Sequence, residues 1–210
     1  MTSLHNKLLK LFRIAAKLNE SLWGAGIDSA SMSPKQLAEH VTGIAGIELE
    51  YYAVDVENDH VFGFIEIYEL GKKAKIYISK NISDRFKHAV IAKELCQPLI
   101  DTPDDWQTDG IDTLQKLLGQ TIEIDAPEYI AYRSEALAER LSWELLYPFE
   151  LRTKDLADGT PFEVIAARVR LPLQIVELLL SPGDVAWCRR WWEVILAEHD
   201  AKTAAAKAAE

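Results

Sequence analysis

Residues 89–101 read Ala-Val-Ile-Ala-Lys-Glu-Leu-Cys-Gln-Pro-Leu-Ile-Asp. Ala89, Val90, Ala92 and Cys96 continue a helical apolar pattern that Asp84 opens and Phe86 joins. Lys93 and Gln97 are four residues apart, so they stand one turn from each other on one face, with Glu94 next to Lys93. Pro98 has no amide hydrogen and clashes with the carbonyl of Glu94, so the helix is predicted to bend or change type there.

Working outward, residues 47–79 change period. Ile47 to Val54 partly alternates and is rich in strand formers, Val61 to Leu70 is the clearest strand, and Ala74 to Ser79 follows a turn at Gly71-Lys72-Lys73. These are predicted to be consecutive antiparallel strands with one face buried. Further upstream, apolar residues from Leu4 to Leu18 predict a helix over 3–23 that ends near Gly24 and Gly26. Ser33-Pro34 is an N-cap followed by proline at the first helical position, opening a short helix to about Val41 that stops before Gly43.

Downstream, residues 101–110 are expected to form an exposed acidic loop, followed by a helix around Ile111 to Leu118 and a long helix from Tyr129 to Leu146 closed by Pro148. Pro161 to Val169 and Pro172 to Leu180 read as two short helices joined by a tight turn. Val185 to His199 is a last amphipathic helix, with an Ala-rich tail able to stay helical by propensity. The fold class is therefore α+β: an antiparallel sheet of about three strands packed with helices, plus a helical C-terminal portion. Residues 1–150 are expected to form the α+β domain and 151–210 a helical subdomain packed on it.

Composition narrows the function. A net charge of −10 argues against nucleic acid or an anionic membrane as partner, because phosphate binding needs clustered Lys and Arg. No apolar run is long enough to span a bilayer. Lys7, Lys10, Arg13 and Lys17 interrupt the N-terminal apolar residues, so no signal peptide is expected. Two cysteines, Cys96 and Cys188, without paired spacing suit a cytoplasmic protein with reduced thiols.

The active zinc-protease pattern on a helix is H-E-x-x-H: two imidazoles one turn apart hold the metal, and the glutamate is the general base. Residues 93–97 read Lys-Glu-Leu-Cys-Gln, with Lys93 and Gln97 at the histidine positions and Glu94 at the base position. Residues 135–148 read Glu-Ala-Leu-Ala-Glu-Arg-Leu-Ser-Trp-Glu-Leu-Leu-Tyr-Pro. Together these segments resemble the ImmA/IrrE family of zinc metallopeptidases, whose motifs read A-H-E-L-G-H and E-x-x-A-N-x-F-A-x-x-L-L-M-P. Glu135 matches the family's third metal ligand, and Leu145, Leu146 and Pro148 match the end of its second motif. Phe162 to Leu180 resembles the small helix-turn-helix that follows. The resemblance covers roughly residues 34–180 and implies a zincin-like fold.

The departures decide the chemistry. Glutamine is a poor zinc ligand, and lysine binds only as the free amine, whose formation at pH 7 costs roughly 4–5 kcal/mol. Cys96 is one residue away from the metal-facing position, and His88 projects from another part of the helix. Zinc is accordingly expected to be absent, and no other cofactor is implied. The Lys93 ammonium is instead positioned to pair with Glu135 or Glu94. Each residue also has a plainer role: Lys93-Glu94 as a surface pair, Glu135 as a first-turn carboxylate, Cys96 as a small buried hydrophobe, and Trp187, Trp191 and Trp192 as packing.

The first expectation is thus a catalytically inactive, metallopeptidase-like protein that binds another protein. The resemblance implies a transcription regulator as the partner and a regulatory role of phage or mobile-element type. The alternatives are an active zinc-dependent endopeptidase with an altered site, keeping Glu94 as base and Glu135 as ligand, and a DNA-associated regulator using residues 161–180. Against the last, Pro172 to Leu180 carries no Lys or Arg, and only Arg168 and Arg170 lie near it.

Overall fold

A computed structural model of the protein describes residues 4–24, 28, 31–55, 62–69, 72–100 and 127–209. The loop expected over 101–110, the helix expected from Ile111 to Leu118 and the glycine of the 71–73 turn lie outside the described residues. Among those described, the protein is mixed α+β, with eight helices and one three-stranded sheet. They are α1 (Leu4–Gly24), α2 (Pro34–Ala45), β1 (Glu48–Val54), β2 (Gly63–Tyr68), β3 (Lys73–Ser79), α3 (Asp84–Ile100), α4 (Pro127–Leu146), α5 (Phe149–Asp158), α6 (Phe162–Val169), α7 (Leu173–Leu179) and α8 (Pro182–Ala209). Two compact units result: Met1–Ser31 with Glu144–Glu210, and Met32–Trp143. Helix α1 thus groups with the C-terminal helices.

The sheet belongs to the Met32–Trp143 unit and is mixed, which corrects the antiparallel expectation. Its order is β1-β3-β2, with β3 antiparallel to β2 and parallel to β1. The β2–β3 hairpin forms as the sequence suggests, through a turn in which Lys72 N–H donates to the Glu69 carbonyl at 3.2 Å. The placement of β1 differs, for a reason of burial. Ala74, Ile76 and Ile78 of β3 are at most 1% exposed, so β3 takes the middle, where strands on both sides shield it. β1 is more polar and accepts the outer position. Its parallel link to β3 needs a long connection, and β2 lies within that connection.

Two local devices set the helices on this sheet. Ser33 caps α2 in a reciprocal box with Gln36, and Pro34 occupies the first turn. The helix continues through Gly43 and stops at Gly46, whose φ of 68° is left-handed while Ile47 N–H donates to the Thr42 carbonyl at 2.9 Å. The stop expected at Gly43 is thus moved to Gly46, because only the latter adopts the conformation that ends a helix. Gly63 permits the second contact. A Cβ there would lie 2.8 Å from Ile78 Cδ1 and from Val90 Cγ1, so its absence lets α3 close onto β2 and β3. The bend expected at Pro98 does not interrupt α3, which remains α-helical to Ile100. Pro98 sits in the last turn, where losing one backbone bond is tolerated.

The opposite face of the sheet carries a row of rings. Tyr52, Tyr77 and Phe64 occupy one register position across the three strands and stack at centroid separations of 5.4 and 4.5 Å. The Tyr77 hydroxyl donates to Glu66 at 2.9 Å, and the Tyr68 hydroxyl donates to Glu50 at 3.1 Å.

In the other unit, α1 packs on α8. Phe12 is fully buried against Trp187, Trp191 and Trp192, with ring centroids 5.7, 6.1 and 5.6 Å away. The three tryptophans accordingly serve packing. Helix α5 is an element that periodicity did not indicate. It begins after Pro148, carries Glu150 in its first turn and ends at Gly159 with φ 64°. It buries Arg152 completely, and Arg152 pairs with Glu144 and, at 3.2 Å, with Asp184.

Candidate functional site

Helix α3 presents Lys93, Glu94 and Gln97, and α4 presents Glu135, all within the Met32–Trp143 unit. The structure brings these four together. Lys93 Nζ lies 3.3 Å from Glu94 Oε1 and forms an ion pair with Glu135 Oε2. Gln97 Nε2 donates to the other Glu135 oxygen, Oε1, at 3.0 Å. One turn of α3 therefore grips both oxygens of a carboxylate from a second helix, once by an ammonium and once by an amide. The i, i+4 spacing of Lys93 and Gln97 is what makes this two-point grip possible.

Burial differs across the cluster and sets its electrostatics. The side chain of Glu94 is only 6% exposed, whereas Lys93 and Glu135 retain 30% and 32%. Burial pushes the Glu94 carboxyl up, Lys93 pulls it back and Glu135 adds to the rise, leaving it at about 7. Burial pulls Lys93 down, but Glu94 and Glu135 outweigh it and hold the ammonium above the ordinary lysine range. The pair thus favours the cation and disfavours the buried carboxylate. One ammonium cannot fully compensate two carboxylates, and the closer contact goes to Glu135. Glu139, one turn along α4, belongs to the same field: burial raises its carboxyl, Lys93 opposes and Glu135 adds. Sequence comparison did not single out Glu139, although its i+4 spacing from Glu135 is the signal that could have done so.

A zinc ion does not fit these donors. Lys93 is held protonated, the Gln97 amide is turned as a donor toward Glu135, and Glu135 has both oxygens engaged. The neighbours offer no substitute. Cys96 is fully buried, and burial pushes its thiol up, away from the thiolate that a metal requires. His88 is likewise fully buried on α3, five residues before Lys93. Among the described residues, no three His, Cys, Asp or Glu side chains converge as a metal-holding group.

The α6–α7 pair was the candidate for DNA contact. Arg168 is paired with Asp155, which also accepts a 2.7 Å bond from the Tyr147 hydroxyl. Gln174, Glu177 and Leu178 are the exposed residues of α7. The exposed surface of α7 thus carries a carboxylate and no cation, and the nearby exposed cations are Arg168, paired with Asp155, and Arg170.

No protein-family model and no curated protein matches this chain. The case for function rests on the motif positions and on the geometry that surrounds them.

Proposed function

We infer that this chain is a metallopeptidase-like protein of the ImmA/IrrE type that binds another protein without cutting it. One observation supports this above the others: the Lys93 ammonium lies between Glu94 and Glu135, where the resemblance calls for a metal ion. A hydrolase of this kind needs a cation that polarises the carbonyl and activates water. An ammonium tethered to α3 offers no open coordination position, and Glu94, at the base position, faces that ammonium at 3.3 Å. The zincin-like reading of the fold draws support from α3 lying across β2 and β3 and from α4 delivering Glu135 to it. The partner class remains the one implied by the resemblance, a transcription regulator, with a regulatory role of phage or mobile-element type. A cytoplasmic location suits two buried cysteines that form no disulfide with each other. None of the described helices is long and apolar enough to cross a membrane.

The test is affinity capture from the native host, followed by reconstitution with the purified captured protein and elemental analysis of the same preparation. A partner retained at fixed ratio and still intact after incubation, with zinc well below one per chain, is the expected result. Cleavage of that partner, abolished by Glu94→Gln and accompanied by one zinc per chain that Glu135→Ala removes, would establish the peptidase instead.

A further inference from the structure

We propose that Lys93 is the resident cation of this site, with Glu94 and Glu135 as its ligands and Gln97 as the residue that orients Glu135. This rests on the metallopeptidase-like reading of α3 and α4 but not on protein binding. Two carboxylates from different helices converge on one positive charge: Glu94 at 3.3 Å and Glu135 in direct ion-pair contact. Glu94 is nearly fully buried, and a buried carboxylate without a positive partner is strongly disfavoured. A site of this shape ordinarily meets that need with an ion drawn from solvent. Here the chain supplies the charge covalently, so the charge cannot dissociate, be chelated or exchange with another ion. The Gln97 amide completes the arrangement by donating to the Glu135 oxygen that the ammonium does not take, at 3.0 Å. A histidine at that place would offer a ring nitrogen to a metal. The amide offers a hydrogen to the carboxylate, which suits a site whose cation is already present.

Three consequences follow from a resident ammonium, the last two of which a surface ion pair does not share. The folded protein is indifferent to chelators and to added zinc. Removing the ammonium leaves two carboxylates in mutual repulsion, and neutralising one of them relieves it. Replacing both Lys93 and Gln97 with histidine converts the position into a zinc site with Glu135 as third ligand.

The experiment compares thermal midpoints at pH 8, with and without EDTA, for the parent protein, Lys93→Met, Lys93→Arg and Lys93→Met/Glu135→Gln, and titrates Lys93→His/Gln97→His with zinc chloride by equilibrium dialysis. The parent midpoint is expected to be unchanged by EDTA or zinc. Lys93→Met is expected to lower it by about 4 °C or more, with Glu135→Gln restoring at least half of the loss and Lys93→Arg losing less than Lys93→Met. The double-histidine variant is expected to take up one zinc per chain, with affinity falling about tenfold or more when Glu135→Gln is added. A parent protein that holds zinc through dialysis or loses stability in EDTA would overturn the proposal. So would a Lys93→Met protein with an unchanged midpoint, or a folded double-histidine variant that takes up no zinc. If Lys93→Met does not fold, the zinc titration and the Lys93→Arg midpoint decide.

Discussion

Glu94 is the residue whose protonation most directly links this site to stability. Its carboxyl moves from an ordinary 4.5 to about 7, chiefly through burial and against the pull of Lys93. The folded state therefore binds a proton more tightly than the unfolded chain does between those two values. Its contribution is fully present below pH 4.5 and is lost as pH rises toward 7, reaching about 3 kcal/mol. Glu94→Gln, which stays neutral, is expected to flatten stability across pH 4.5–7 and to raise it at pH 8. Urea unfolding at several pH values measures this, and an unchanged pH profile refutes it. At this scale the sequence was informative. Lys93, Glu94 and Gln97 were legible as a group because i, i+4 spacing puts Lys93 and Gln97 on one face of a helix, and Glu135 came only from the second motif the chain resembles. Glu139 was not legible, since its membership depends on how α4 faces α3, and no local spacing encodes that.

Individual elements were legible where local chemistry marks them. Ser33-Pro34 announced α2, and the structure shows the full capping box with Gln36. Ser33→Ala is expected to cost about 1 kcal/mol in global stability. Helix α5 escaped notice because its signals, Pro148 before and Gly159 after, bracket a segment with several charged residues and weak apolar periodicity. The strands were found but their pairing was not. Strand location follows from composition, whereas neighbour choice follows from which strand needs covering on both sides, and that is settled only by packing. Gly63 is the point where sheet and helix meet. Gly63→Val is expected to destabilise by about 1–3 kcal/mol, because its side chain would overlap Ile78 and Val90. A denaturation midpoint equal to that of the parent protein would show that α3 adjusts freely.

For the molecule as a whole, each compact unit carries its own ionic centre, half-buried around Lys93 in one and fully buried around Arg152 in the other. In the unit formed by Met1–Ser31 and Glu144–Glu210, Arg152 has no exposed side-chain surface and pairs with Glu144 and Asp184. Trp192 Nε1 donates to the second Glu144 oxygen at 3.3 Å, so α8 is tied into the pair. Removing one member strands the other. Arg152→Ala is expected to cost about 3–5 kcal/mol, and Arg152→Met/Glu144→Met to recover most of it. Equal losses in the single and double variants, measured by chemical denaturation, would contradict this. Helix α1, first in the chain, completes a core built by the last helices through Phe12. Such a long-range association leaves no mark at either end.

The parallel pairing of β1 has a temporal consequence. Its neighbour β3 is made about twenty-five residues later (Glu48 aligns with Lys73), after the chain has reversed twice. A nascent chain presents β1 well before anything exists for it to join. The β2–β3 hairpin is local and is expected to close first, with β1 joining its edge afterwards. The backbone amides of residues 48–54 should therefore be the last in the sheet to gain protection from deuterium during refolding, well after those of 63–68.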